Sequence, residues 1–273
     1  MNFSDPTRPK PPKIFAISNQ KGGVGKTTTT INLATGLVEA GARVLLVDLD
    51  PQGNASTGLG ITQEKRLVTT YDVLLDEALI SDAVVETAMP NLFVCPANAD
   101  LSSADVELVS NEKRSFLLQD ALRQTDMDRY LFDFVLIDCP PSLNILTVNA
   151  MIAADSVIVP LQAEFFALEG LSQLMLTIRE IRQTANPGLR IEGVLLTMFD
   201  GRNRLCHQVE ADARANLGDV VFQTVIPRNV RVSEAPSFAM SVLEYDTTSR
   251  GAGAYRALTA EILKRNPISR PKE

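Results

Sequence analysis

The chain has 273 residues, of which 45% are hydrophobic and 5% aromatic, with no tryptophan. That length suits one large α/β domain with a core of Val, Ile, Leu and Ala. A net charge of −7 argues against a constitutive polyanion binder. No apolar run reaches the roughly 18 residues of a membrane span, and no secretory segment opens the chain, so a soluble, intracellular protein without a membrane partner is expected.

Residues 1–12 hold four prolines and are expected to form a flexible tail. Ile14 to Ile17 is a short β-branched run expected as a buried strand. A glycine-rich turn follows, QKGGVGKTT, and then an amphipathic run ending at Gly41, a residue suited to terminate a helix. Residues 43–50, RVLLVDLD, are expected as a buried parallel strand that delivers acids at its C-terminal end. Two short helices are expected over 71–88, a strand over 91–97, and a helix in two pieces over 101–124, broken near Ser110 and Asn111. Further strands are expected at 134–141, 156–160, 191–197 and 220–226, with helices at 168–185, 203–217 and 251–265. The alternation predicts a mostly parallel, twisted sheet of seven to eight strands covered by helices on both faces. The domain is expected to span 13–266, with a frayed tail over 267–273. Cys95, Cys139 and Cys206 lie far apart without a CxxC pair and are expected as buried free thiols.

Strand, glycine loop and helix together are the context of a phosphate site. Glycines let backbone N–H groups converge on an anion, and the helix start adds its positive dipole end. The candidate cradle is Lys21, Gly22, Gly23, Val24, Gly25, Lys26, Thr27 and Thr28. Lys26 would neutralise the β/γ-phosphates and Thr27 would ligate Mg²⁺. The loop departs from G-x-x-x-x-G-K-[ST] because Gln20 occupies the first glycine position. Gly22 and Gly23 compensate, and Lys21 adds a second cation. Asp48 and Asp50 are expected to share one face of their strand, and Asp138 ends another apolar strand in the hhhhD form of a Walker B acid. His207, the single histidine, is expected on a helix surface or at a cap.

The KGGVGKTT form resembles the deviant P-loop of the ParA/MinD family of ATPases. DLDPQGN at 48–54, DCPPSL at 138–143, ALEGLSQL at 167–174, GVLLTMFDGR at 193–202, IPRNVRVSEAPS at 226–237 and YDTTSRGAGAY at 245–255 extend the resemblance to chromosomal, Soj-like ParA proteins. The resemblance implies a single-domain P-loop NTPase that binds ATP and Mg²⁺ in a nucleotide-sandwich homodimer, with the P-loop strand central. It implies that Lys21 reaches across the dimer to the partner's ATP, and that Asp50 positions or activates the attacking water. Asp138 matches the Walker B acid, Thr27 the Mg²⁺ ligand, and Asp48 a neighbouring acid near the metal. Pro227 and Asn229 match the segment that packs on adenine, with Met198 a candidate for the same pocket. Arg202 and Arg231 match arginines used for sequence-independent binding of double-stranded DNA. A centromere-bound ParB-type partner would stimulate hydrolysis, and the protein would be cytoplasmic and nucleoid-associated.

Charge alone leaves the DNA reading open. Residues 202–231 contain five arginines and three acids, a balance that also fits a solvated face. Three alternatives stay in view. A MinD-like membrane-cycling ATPase would end in a basic amphipathic helix, whereas this sequence ends in NPISRPKE. A nitrogenase-reductase-type iron protein would need cysteines placed to bridge subunits. A relative that positions another cytoplasmic cargo would keep every motif.

Overall fold

Several strands of this chain carry no polar face, and a strand without alternation belongs in a sheet buried on both sides. The computed structural model describes residues 11–164 and 167–268. It contains one sheet built from β1 (Lys13–Ile17), β2 (Val44–Asp48), β3 (Val85–Glu86), β4 (Leu92–Cys95), β5 (Phe134–Asp138), β6 (Ser156–Gln162), β7 (Arg190–Phe199) and β8 (Val221–Pro227). Their order is β3-β4-β2-β5-β1-β6-β7-β8. Every pairing is parallel except β3 with β4. Every residue of β2 and β5 is buried.

The pleat sends alternate residues to two cores. Phe15, Ile17, Leu46 and Leu136 meet Leu33 and Leu37 of helix Lys26–Glu39, and Tyr255, Leu258 and Ile262 of helix Arg250–Arg265. Ala16, Leu45, Val47 and Ile137 belong to the opposite core, with Leu146 and Ala150 of helix Ile145–Ala153 and Leu171, Leu174 and Ile178 of helix Ala167–Thr184. The expected doubly covered α/β architecture is what forms. Cys95, Cys139 and Cys206 are buried and free.

The departures from expectation are local. Within 71–88 the helices Thr70–Leu74 and Ile80–Ala83 are followed by β3, an edge strand of 2 residues, too short to show any periodicity. Over 101–124 only Ala104–Glu107 and Leu117–Leu122 are α-helical, with tighter 3₁₀ turns around them. Helix Ile145–Ala153 has no counterpart in the expectation. Most of its residues are buried, so it shows no amphipathic stripe, and its one local signal is Asn144, whose side chain caps the N–H of Thr147. The expected tails lie outside the described residues, save for 11–12 and 267–268.

Candidate nucleotide-binding site

β1 lies inside the sheet between β5 and β6, so the loop leaving its C-terminal end opens where ligands of parallel sheets bind. Gly23 and Gly25 take φ values of 73° and 87°, conformations that a side chain would strain. Gly25 leads directly into helix Lys26–Glu39, whose first turn closes with Thr29 N–H on the Gly25 carbonyl. The loop is braced from beneath. The Thr197 hydroxyl at the end of β7 donates to the Val24 carbonyl at 2.8 Å. Asn19 donates to the Pro160 carbonyl and accepts from the Lys21 N–H.

The two lysines are treated differently. Lys26 is 7% exposed and its Nζ bends back onto the Lys21 carbonyl at 3.0 Å. Burial lowers its pKa, opposed by the nearby Asp138, Cys139 and Asp50. Lys21 points outward, its Nζ 2.6 Å from Glu164 Oε2, with both side chains nearly half exposed. Such a pair contributes about 0–1 kcal/mol and opens readily.

Asp138 ends β5 directly opposite Asp48 of β2. Asp138 Oδ1 accepts from the Thr30 hydroxyl at 2.9 Å, whereas its buried Oδ2 has no hydrogen-bond partner. A buried acceptor left open costs free energy, so this oxygen is placed for a ligand that the protein itself does not supply. Asp48 is the opposite case. Its Oδ1 accepts from the Asp50 N–H, and its Oδ2 from both the N–H and the hydroxyl of Ser56. The expectation that Asp48 and Asp50 share one strand face is corrected here: β2 stops at Asp48, and Asp50 begins a turn. The turn forms because the Asp48 carboxylate pulls in the next amides, while Gln52 N–H donates to Asp50 Oδ1 and Gly53 N–H to the Asp50 carbonyl. Asp50 is 8% exposed.

Burial, reinforced by the neighbouring carboxylates, raises Asp138 to about 8 against the pull of the Thr27 and Thr30 hydroxyls. Burial also raises Asp48 to about 6 against its hydrogen bonds to Ser56 and Asp50. Groups raised on folding bind more protons folded than unfolded. Their stabilisation is complete below the ordinary carboxylate value near 3.8 and is lost as pH rises through about 6 and about 8. The ligand-free protein should therefore melt lower at pH 8 than at pH 6, by about 2–4 °C for each kcal/mol lost. Calorimetry of Asp138→Asn, whose amide cannot ionise, should show a flatter pH slope; an unchanged slope would place the titration elsewhere.

The remaining candidates gather at the ends of β7 and β8. Met198 has φ 52° and follows the loop-bracing Thr197, and Phe199 pairs with Pro227. Asn229 caps helix Val230–Glu234 through Arg231 N–H. Arg202 and Arg231 follow β7 and β8, strands tied together by Arg228 N–H on the Phe199 carbonyl. Both arginines are exposed and already paired, Arg202 with Asp200 and Arg231 with Glu234 and Asp246. His207 lies exposed on helix Arg204–Leu217, against the Phe199 ring and the Gly201 carbonyl. Thr30, Thr197 and Glu164 were not anticipated. Thr30, one helical turn after Lys26, was within reach of spacing; the other two had no sequence signal.

A family model described as an AAA domain matches residues 12–191. The chain is 58% identical over 255 residues to the chromosome partitioning protein ParA of Caulobacter vibrioides, covering 93% of this chain and 95% of that one. The chain belongs to the ParA/Soj family of chromosome-partitioning ATPases. The sporulation initiation inhibitor protein Soj of Bacillus subtilis is 50% identical over 92% of this chain and 98% of its own. Among solved structures, cobyrinic acid a,c-diamide synthase from Mycobacterium smegmatis, with bound ATP analogue and magnesium, superposes with a TM-score of 0.81 at 38% identity, covering 95% of this chain and 97% of that one. The ParA/Soj assignment agrees with an interior P-loop strand in a mostly parallel sheet. Among the described residues of this ParA/Soj chain, no helix is long and apolar enough to cross a membrane.

Proposed function

We propose that the protein segregates DNA by an ATP-driven cycle, in which two copies close around two nucleotides, bind duplex DNA without regard to sequence, and let go on hydrolysis stimulated by a ParB-type partner. The observation that carries the reading is the division of labour between the two loop lysines. Lys26 is folded into its own loop, whereas Lys21 is held outside it by an exposed ion pair and is free to exchange that carboxylate for the phosphates of a facing subunit.

Within one subunit, the backbone from Gly22 to Thr28 and the Lys26 ammonium hold the phosphates. The open Asp138 Oδ2 and the Thr27 hydroxyl suit magnesium, which keeps several waters and few protein ligands. Bound there, magnesium would neutralise charge on the phosphate oxygens. Asp50, fixed through its own N–H and carbonyl, orients the attacking water. Met198, Pro227 and Asn229 form the adenine side. Asp48 spends its carboxylate on Ser56 and Asp50, so its part is to shape the turn. The catalytic domain spans 13–266, and the ATP-bound dimer resides on the nucleoid in the cytoplasm.

The net charge of −7 is the obstacle to DNA binding, and dimerisation is the answer to it. Arg202 and Arg231 are held by exposed pairs that cost little to exchange for phosphate, and a dimer lays two copies of each along one backbone. ATP-bound wild type should therefore bind random duplex DNA and lose it steeply as salt rises. Arg231→Glu should weaken binding on every sequence alike and reduce the salt slope, without changing dimerisation. A salt series read by fluorescence anisotropy checks this, and a dimeric mutant with unchanged affinity and slope would move the DNA face elsewhere.

A further inference from the structure

Arg66 is a long cationic side chain that is only 8% exposed, and it forms no salt bridge among those recorded for the described residues. Burying a guanidinium is costly unless its donors are satisfied. Here they are satisfied by the backbone and one hydroxyl. Nη1 donates to the Ala97 carbonyl at 2.9 Å, and Nε and Nη2 to the Ile61 carbonyl at 3.2 and 2.9 Å. Nη2 also reaches Thr57 Oγ1 at 2.7 Å and the Gly53 carbonyl at 3.4 Å. Gly53 sits at φ 60°, and a Cβ there would come within 2.3 Å of Arg66 Nη1, so turn and guanidinium are fitted to one another. Burial lowers the pKa of Arg66 and the Asp48 charge opposes this, which puts that carboxylate within electrostatic reach.

These bonds continue to the hydrolytic end of the site. The Gly53 carbonyl accepts from the N–H and hydroxyl of Thr57 at 3.0 Å and at longer range from Arg66, which also holds the Thr57 hydroxyl. Gly53 donates its N–H to the Asp50 carbonyl, and Asp50 donates its own N–H to Asp48. Ser56 is bound to Asp48 on one side and, through Oγ, to the Ala97 N–H on the other. The turn that presents Asp50 is thus pinned by Asp48 from the sheet and by Arg66 from outside. We infer that Arg66 is a positioning residue for ATP hydrolysis, clamping the 50–61 segment so that the Asp50 carboxylate faces the attacking water. The inference rests on the role given to Asp50 above. It assigns Arg66 no contact with nucleotide, so its loss should act on turnover rather than on affinity.

The test compares Arg66→Met, Arg66→Lys and Asp50→Ala in the full chain, by steady-state ATP turnover, by equilibrium binding of a fluorescent ATP analogue, and by thermal unfolding. Misplacing a catalytic group by about 1 Å can cost on the order of 100-fold. Arg66→Met is therefore expected to lower kcat by about 10- to 100-fold, with affinity for the analogue within about threefold of wild type. Arg66→Lys, which keeps a donor but not the planar fork, should recover part of the rate. Should Arg66→Met fail to fold, Thr57→Val removes the hydroxyl that accepts from Arg66 Nη2 and donates to the Gly53 carbonyl, and should still lower kcat at unchanged affinity. A folded Arg66→Met or Thr57→Val with wild-type kcat, or affinity falling in step with kcat, would overturn the clamp. If Asp50→Ala is inactive while Arg66→Met is fully active, only this inference falls; if Asp50→Ala turns over at the wild-type rate, the role of Asp50 falls first and the clamp with it.

Discussion

Replacing Asp50 by alanine is expected to stop ATP turnover while leaving ATP bound. A water-orienting carboxylate acts as the transition state forms, so its removal lowers kcat and leaves ground-state affinity nearly intact. General-base and orienting groups contribute about 10²–10⁴-fold, so turnover should fall close to background. The fold should tolerate the change. What fixes the turn is the Asp50 backbone, through Asp48 Oδ1 and Gly53 N–H, and alanine keeps both groups; only the bond from Gln52 N–H to Asp50 Oδ1 disappears. Nucleotide affinity, dimer fraction and hydrolysis rate measured on one preparation decide the matter. Wild-type turnover in the mutant would remove Asp50 from the chemistry.

Lys21→Ala is expected to separate nucleotide binding from dimerisation. Lys26, not Lys21, is buried in the loop of its own subunit, so ATP should still bind with little loss. Closing two subunits on two triphosphates sets like charges against each other, and a lysine donated from each side offsets that repulsion with charge-assisted hydrogen bonds. Without it the ATP-dependent dimer should disappear, and with it turnover and DNA binding. Losing the exposed pair with Glu164 should change stability by no more than about 1 kcal/mol, so misfolding would not explain the result. Sedimentation with a slowly hydrolysed ATP analogue makes the measurement, and a stable nucleotide-dependent dimer of the mutant would exclude donation in trans.

Sequence by itself determined the parts of this protein whose signals are local. An apolar run without alternation makes β1, β2 and β5 interior strands, because only a sheet covered on both faces tolerates it. The glycine-rich loop announced an anion cradle, and Gly41 announced the left-handed residue after its helix, where φ is 90°. Motif resemblance carried this further, to ATP and to a ParA-type ATPase. Tertiary structure alone decided how the acids divide their work. Asp48 and Asp50 look equivalent in LVDLD, yet one carboxylate is consumed within the fold and the other leads the turn. Asp138 owes its open oxygen and raised pKa to burial and to a strand neighbour 90 positions earlier in the chain. The bonds of Thr197 to Val24 and of Lys21 to Glu164 join residues 173 and 143 positions apart, and the helix at 145–153 is too buried to show a stripe. Pattern reading works over a turn of helix or the pleat of one strand. Contacts made by closing long loops have no period to read, and which partner each polar group finds is settled only when the sheet order brings those segments together.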